Sequence, residues 1–289
     1  MIPTFELGGI TFGGDEQVQV AQFDPGSGST RVQDAEVPMG DGVMMGRDFH
    51  SAPTWMFDFY TNVWDWSEAM GLAEDVAAVW SGDEVRETPG AVMPLRYLMA
   101  GRWRRVYGRP RNFSPPDGGL FSKLGRAEFA GSFATVDRLH YEDEEQSASA
   151  DMIPTTLGGF IAPFIAPIDF ESPLDGYTPR GLVVGGKARV GVAVEVTGPV
   201  TDPWVEITGQ WRVQFVGTLN AGETFVLDTR PWMRTILKNG SPATGALSHS
   251  TMVQDVKLSP GAYSMSFGGL GAAGSARATI KWRNAYYSL

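Results

Sequence analysis

The chain has 289 residues, a formal net charge of −10 at pH 7, 36 glycines, 19 prolines and no cysteine. An acidic surface disfavours nucleic acid as a directly bound partner, because phosphates are neutralised by basic side chains. The absence of cysteine excludes disulfides and thiolate metal sites. The first residues lack the basic and apolar regions of a signal peptide and no apolar run reaches the length of a membrane span, so we expect synthesis in a cytosol.

Short apolar runs separated by Gly and Pro predict a mainly β protein, and the length predicts two domains. We place the boundary where an acidic run passes into Ser-Ala-Ser-Ala at residues 147–150. The prediction is an N-terminal domain over residues 1–150 and a C-terminal domain over residues 151–289. Residues 153–173, rich in Pro and Phe, are expected to run along the junction as an extended segment.

The strands of the first domain are predicted from alternating patterns. Residues 18–23 are predicted to pair with residues 31–37 across a loop of turn residues. Trp55, Phe57 and Phe59 share one face of a strand because successive side chains alternate. Large aromatic side chains usually fill interiors, so we favour a core face over a platform for stacking sugars.

Residues 66–80 predict the helix of this domain, with Asp65 or Ser67 as its cap and Gly82 as its stop. Its apolar residues recur one and two turns apart and predict packing on the sheet. Three tryptophans flank or belong to it: Trp64, Trp66 and Trp80. Because they exceed what one small domain needs inside, burial against a neighbouring subunit is weighed equally with burial in the core.

Arginines interleaved with aromatic residues crowd the next segment: Arg96, Arg102, Arg104, Arg105, Arg109 and Arg111. The pattern is typical of strands that bind nucleic acid, but the surrounding chain is acidic. We therefore favour ion pairs with Asp137 or with the acidic run 142–145, in the same subunit or in the next one. Under this interpretation, the candidates for a subunit interface are Arg102, Arg104, Arg105 and Arg109.

The sequence of the second domain indicates many short strands with turn residues between them, and this pattern predicts a β-sandwich or jelly roll. Residues 225–228 alternate and are followed by Pro231, which cannot continue a central strand. Residues 233–238 lead directly into Asn239-Gly240, whose tolerance of positive φ makes it the strongest short hairpin signal.

Signals for catalysis are weak. The carboxylates that could form a glycosidase pair are Glu195, Glu206, Glu223 and Asp228. Each alternates with apolar neighbours or lies in a turn, as solvated carboxylates of a sandwich do. The three histidines are isolated and the serines have no nucleophile-elbow motif around them, so we expect no enzyme, no metal and no cofactor.

Several segments together resemble siphophage distal tail proteins. In the C-terminal half they are Gly-Glu-Thr-Phe-Val-Leu-Asp-Thr-Arg-Pro-Trp at 222–232, the Asn-Gly hairpin, Leu-Ser-Pro-Gly at 258–261 and the strand 276–287. Residues 86–111 resemble the N-terminal half of that family, and Gly46-Arg47-Asp48 resembles minor tail proteins of phages that infect actinobacteria. The resemblance covers most of the chain.

The resemblance implies a tail-tube-like β-barrel or sandwich with one helix, followed by a galectin-like β-sandwich. It further implies a virion protein at the tail tip, a hexameric ring that joins the tail tube to the tail-tip hub or baseplate and leaves a channel for DNA. Its partners would be further copies of itself, the tail tube protein, the tail-tip hub and other minor tail proteins. The alternative is a carbohydrate-binding module for host attachment, with Trp211 and Trp232 as the sugar platform.

Overall fold

The computed structural model describes residues 3–116, 126–152, 180–249, 252–271 and 275–289. By its contacts the chain divides into two compact units, Met1–Asp143 with Tyr286–Leu289 (unit 1) and Glu144–Ala285 (unit 2). The domains 1–150 and 151–289 stay a prediction. The segment 153–173, predicted to follow the junction, lies outside the described residues. The mainly β class is confirmed.

The elements of unit 1 are, in chain order, β1 (Thr4–Leu7), β2 (Ile10–Gly13), β3 (Val18–Asp24), β4 (Thr30–Arg31), β5 (Ala35–Glu36), β6 (Val43–Met44), β7 (Phe49–His50), β8 (Thr54–Thr61), α1 (Trp66–Trp80), α2 (Asp83–Arg86), β9 (Met93–Met99), β10 (Arg102–Ser114), β11 (Glu128–Thr135) and β12 (His140–Glu142). Those of unit 2 are β13 (Gln146–Asp151), β14 (Arg180–Val184), β15 (Val190–Gly191), β16 (Ala193–Thr197), β17 (Val200–Ile207), β18 (Trp211–Gln214), β19 (Thr218–Leu219), β20 (Thr224–Asp228), β21 (Thr235–Lys238), β22 (Ser241–Pro242), β23 (Lys257–Leu258), β24 (Gly261–Leu270) and β25 (Arg277–Trp282), with 3-10 turns at Thr244–Ala246 and Val253–Asp255. The last strand is β26 (Ala285–Tyr286).

The main sheet of unit 1 follows the antiparallel order β2-β1-β9-β10-β11-β8-β3, and β12 pairs with β10. Its core is aromatic, as the alternation in β8 predicted. Trp55, Phe57 and Phe59 are buried, and the Phe57 and Phe59 rings stack with centroids 5.6 Å apart. Trp80 meets Phe59 edge-on at 5.3 Å, so the helix closes the same cluster.

Helix α1 has the predicted bounds because its start is capped and its apolar stripe is covered. The Asp65 carboxylate accepts hydrogen bonds from the backbone N–H groups of Ser67 and Glu68 at 2.8 and 3.1 Å. The chain leaves the helix through Gly82 at φ +66°, a left-handed position that favours glycine. The predicted helix is therefore confirmed.

The predicted pairing of residues 18–23 with residues 31–37 is wrong. Strand β3 pairs with β8 instead, with Val20 opposite Phe59, because its apolar side chains complete the aromatic core. Residues 31–37 are mostly polar and could not provide that cover. They belong to an extension made of two small ladders, β4 with β7 and β5 with β6, which we call the arm (residues 30–50).

Unit 2 is a sandwich of two sheets, β13-β25-β16-β20-β21-β22 and β14-β24-β17-β18, with β19 beside β17. Phe215, which follows β18, stacks on Phe225 of the opposite sheet with centroids 5.1 Å apart. The predicted β-sandwich is thus confirmed. The hairpin between β21 and β22 turns at Asn239 and Gly240, whose φ values of +50° and +78° have the sign that a type I′ turn requires.

Candidate functional site

The arm carries apolar side chains that the described part of unit 1 leaves exposed. Every residue from 30 to 50 is exposed except Val37 and Phe49, which are half-buried. Met39 is fully exposed and Met45 is 83% exposed. Apolar side chains grouped in this way on a soluble surface are typical of a region that another molecule covers.

The arm is nevertheless ordered by its own hydrogen bonds. At its base the Ser51 backbone N–H donates to the Ser29 carbonyl at 2.8 Å, and farther out the Gly46 N–H donates to Asp34 Oδ1 at 2.9 Å. Arg31 and Arg47 both lie over the Phe49 ring, at 5.1 and 5.3 Å from its centroid. The exposed side chains are therefore presented by a defined β extension.

The tryptophans of the helix region have opposite environments. Trp64 is 99% exposed, and Trp66 is 38% exposed. Trp80 is only 2% exposed, and its indole N–H donates to the Ser132 carbonyl at 3.0 Å. Of the two interpretations weighed for Trp80, burial against a neighbouring subunit is wrong and burial in the core is right, because its ring packs in the core of its own unit. The positions of the tryptophans in the sequence could not distinguish them. Which ring faces the sheet depends on how the helix orients its apolar stripe in the folded unit.

Two of the arginines converge on one carboxylate. Arg96 donates to both carboxylate oxygens of Asp143 at 2.9 and 2.8 Å, and Arg105 donates to Oδ1 at 2.9 and 2.6 Å. Burial is the largest influence on Asp143 and would raise its pKa, but the hydrogen bonds from both arginines outweigh it and the pKa is lowered. The predicted ion pairing with the acidic run is confirmed within the subunit, and Arg105 is engaged there.

Arg109, another interface candidate, holds a loop of its own chain. Its Nε donates to the Ala91 carbonyl at 2.5 Å and its Nη2 to the Thr88 carbonyl at 2.6 Å. Arg102 instead is exposed at the start of β10. The candidate arginines thus divide into those that support the fold and one that faces solvent.

A cavity of about 250 Å³ lies beside this exposed arginine, and we call it the Arg102 cavity. Its walls are Tyr97, Met99, Ala100, Arg102, Arg104 and Leu289. Arg104 is fixed on one side, because its Nη1 donates to the Ser288 carbonyl at 2.6 Å and its guanidinium lies 4.4 Å over the Tyr286 ring. Neither the cavity nor the arm was predicted from the sequence. The sequence of the arm does contain a signal for it. Its Met residues stand among Gly and Asp, without the alternation of apolar and polar residues that is typical of a strand.

A buried Tyr–His pair lies behind the cavity. The hydroxyl of Tyr97 is 2.8 Å from His140 Nδ1, and the His140 ring lies 5.8 Å from the Trp55 ring. Burial, and secondarily the charge of Arg104, lowers the pKa of His140 to about 4, and burial raises the pKa of Tyr97. Both side chains are therefore neutral and mutually hydrogen-bonded at pH 7, which is a structural arrangement.

The two sugar-platform candidates of unit 2 differ in exposure. Trp211 is 9% exposed and its indole N–H donates to the Lys257 carbonyl at 3.0 Å, so the prediction that it stacks on a sugar is wrong. Trp232 is half-buried, with Arg230 at 5.9 Å from its ring. On the outer face of β17, the Arg212 guanidinium lies 4.1 Å over the Trp204 ring, where a sugar ring would stack.

The four carboxylates considered for glycoside hydrolysis each have a local partner. Glu195 forms an ion pair with Lys281 at 3.0 Å, Glu206 with Arg212 at 3.7 Å, and Asp228 with Arg230. Glu223 accepts a hydrogen bond from the Asn220 N–H at 2.7 Å. The Asn220 backbone hydrogen bond lowers the pKa of Glu223, whereas a glycosidase acid needs a raised one. Within the described ranges no three His, Asp or Glu side chains are placed to hold a metal ion. None of the described helices is long and apolar enough to cross a membrane.

Comparison with known proteins places this two-unit fold in one class. No family model and no curated protein matches the chain. Among solved structures, the fold is that of phage Dit and baseplate proteins. The resemblance to distal tail proteins is thereby confirmed for the fold, and at such low sequence identity for the fold alone.

The particular neighbours are similar over nearly their whole length. One is the Dit protein of phage SPP1, described as a paradigm of the hub adsorption apparatus in phages that infect Gram-positive bacteria. It matches with a TM-score of 0.59 and 11% identity over 99% of both chains. A chain of the phage P2 baseplate in its activated conformation with Ca matches with a TM-score of 0.54 and 12% identity, over 97% of this chain and 98% of that chain. A chain of the same baseplate with Sr matches with a TM-score of 0.53 and 11% identity, over 97% of both chains.

Proposed function

We propose that this protein is a distal tail hub of a long-tailed phage, a structural ring at the tip of the virion tail. The observation that carries the proposal is that the likeness to phage Dit and baseplate proteins spans 97% or more of this chain and of each neighbour, and is not confined to one common β-sandwich. The protein would join the tail tube to the tail-tip hub and contact the tail tube protein and other minor tail proteins. No catalysis is required for that role.

Assembly into a closed ring of six copies would cover the surfaces that the isolated subunit leaves exposed. The arm and Trp64 place apolar groups in water, and contact between identical subunits would bury them. A head-to-tail contact that closes on itself leaves no exposed end to continue polymerising. The number six comes from the resemblance to the family.

The ring would surround a channel for DNA. A net charge of −10 fits a conduit wall, because a basic lining would bind phosphates and retard the genome. The protein would be made in the bacterial host cytoplasm and would have no sequence-specific contact with nucleic acid.

The test is the mass of the purified protein, measured by mass photometry and checked by negative-stain images. We expect closed rings of uniform mass for the full chain. In a matched variant the arm is replaced by a short Gly-Ser turn, which can join Ser29 to Ser51 because their backbones are hydrogen-bonded. We expect this variant to stay folded and to lose ring formation. A full-length protein that is monomeric at all concentrations, alone and in tail tips, would contradict the proposal.

The carbohydrate-binding alternative has weaker support. Trp211 is buried, and Arg212 already covers Trp204. A glycan array would have to show selective binding that Trp204→Ala abolishes while Trp211→Phe keeps it.

A further inference from the structure

We propose that Trp64 of one subunit inserts into the Arg102 cavity of a second copy of this chain, and that this contact sets the polarity of the ring. The inference rests on the proposed function, since it names the contact through which the subunits would associate. It commits the cavity to one occupant, an indole ring from an identical chain.

The donor side is a single, fully presented ring. Trp64 follows β8 and precedes the cap residue Asp65, and it is 99% exposed. Its loop is anchored on both sides: the Asn62 N–H donates to the Gln17 carbonyl at 2.8 Å, and Asp65 caps α1. A bulky aromatic side chain held in water by a fixed loop is the usual form of an interface anchor, and Trp is the residue type most enriched at such positions.

The acceptor side matches that ring in size and chemistry. An engineered cavity of about 150 Å³ binds benzene, so the Arg102 cavity of about 250 Å³ is large enough for an indole. Met99, which is half-buried, provides an apolar wall, while Arg102 and Arg104 provide guanidinium groups. Arginine over the face of Trp is the most favourable protein cation–π pair.

The charges around the two sides are also complementary. Trp64 is next to Asp65, and Glu68 follows in the first turn of α1. The cavity presents Arg102, which is exposed, and Arg104. Docking therefore brings an acidic helix start to a basic rim, an arrangement that fixes orientation and excludes wrong registers.

The two sides are different patches of unit 1. Trp64 lies between β8 and α1, whereas the cavity is lined by the end of β9 and the start of β10. Because Trp64 is 99% exposed, it does not fill the cavity of its own subunit. Docking into a second copy therefore joins two different patches, and repeated docking is head-to-tail.

Head-to-tail polarity gives a mixing experiment. Trp64→Ala removes the inserted ring and Arg102→Glu reverses the charge at the cavity, while Trp66→Ala, next to Trp64 and 38% exposed, is the matched control. All three positions are at the surface, and circular dichroism melting curves equal to the wild type would establish folding. Mass photometry then gives the assembly state of each variant and of an equimolar mixture of the first two.

We expect wild type and Trp66→Ala to form rings, and each of the other two variants to need at least tenfold higher concentration. The mixture should give 1:1 dimers that do not close, because Arg102→Glu supplies the indole and Trp64→Ala supplies the cavity. Rings that persist in Trp64→Ala and in Arg102→Glu would overturn this inference and leave the ring proposal intact. A wild type that never assembles would overturn both.

Discussion

The two units expose apolar side chains in different ways. Unit 1 has a contiguous group, because Val43, Met44 and Met45 follow one another in the arm and Met39 is at its turn; it also has single exposed residues such as Met56. In the described part of unit 2 the exposed apolar side chains are single residues on separate elements, namely Val183, Val216, Met233, Met252 and Leu270. Scattered apolar groups are normal on a soluble protein, whereas a contiguous group marks a surface of contact. If the chain forms the proposed ring, this difference predicts that the arm of unit 1 provides contacts between subunits.

Both units combine a partly buried ion cluster with exposed ion pairs. In unit 1, Arg96 and Arg105 surround Asp143 with side chains at most one-third exposed, while Arg86 and Asp83 form an exposed pair. In unit 2, Arg230 pairs with Asp228 and Glu145, also at most one-third exposed, while Arg277 and Asp151 form an exposed pair. Partly buried ion clusters contribute to stability through the cost of leaving one charge unpaired, while exposed pairs contribute little. Substitutions of both kinds test this contrast between buried and exposed charge.

The largest effect is expected for Trp80→Ala. Removing a buried Trp leaves a cavity against Phe59 and costs about 3–5 kcal/mol of unfolding free energy. We expect hydrogen exchange to increase throughout unit 1 while unit 2 peptides keep their protection. Trp66→Ala, at the other end of the same helix and 38% exposed, is the control and should leave both units unchanged. Equal loss of protection in unit 2 would show that the two units unfold together.

The next largest effect is a pH dependence from His140. An unfolded histidine titrates near 6.5, and the folded one has a pKa of about 4. Between these values the unfolded state binds more protons, so stability is lost as pH falls from about 6.5 to 4, by about 3 kcal/mol in total. Urea unfolding at several pH values measures it. His140→Asn should flatten the slope in this window.

The elements that local chemistry determines could be predicted from the sequence. Asp65 and Gly82 mark the ends of α1, and Asn239-Gly240 marks a hairpin, because cap and turn conformations depend on one or two residues. The aromatic alternation of β8 likewise identified a buried face.

Features that depend on distant partners were not accessible in the same way. The pairing of β3 with β8 leaves residues 31–37 in the arm, because burial of Val18 and Val20 outweighs the short connection between neighbouring segments. The candidate arginines looked equivalent in sequence, yet Arg109 holds loop carbonyls while Arg102 faces solvent. Which role each takes is decided by strand register, which a single sequence does not reveal.

The smallest effect is expected for Asp143→Asn, which tests a partly buried ion cluster against an exposed pair. It leaves Arg96 and Arg105 without their shared anion in a partly buried site, and we expect unit 1 to lose about 1–3 kcal/mol in urea unfolding. Asp151→Asn, which removes an exposed pair in unit 2, should have no measurable effect. High salt should leave most of the Asp143→Asn difference intact, because partly buried pairs are poorly screened. If both substitutions have equal effects, the Asp143 cluster is an ordinary surface network and the contrast between buried and exposed charge is wrong.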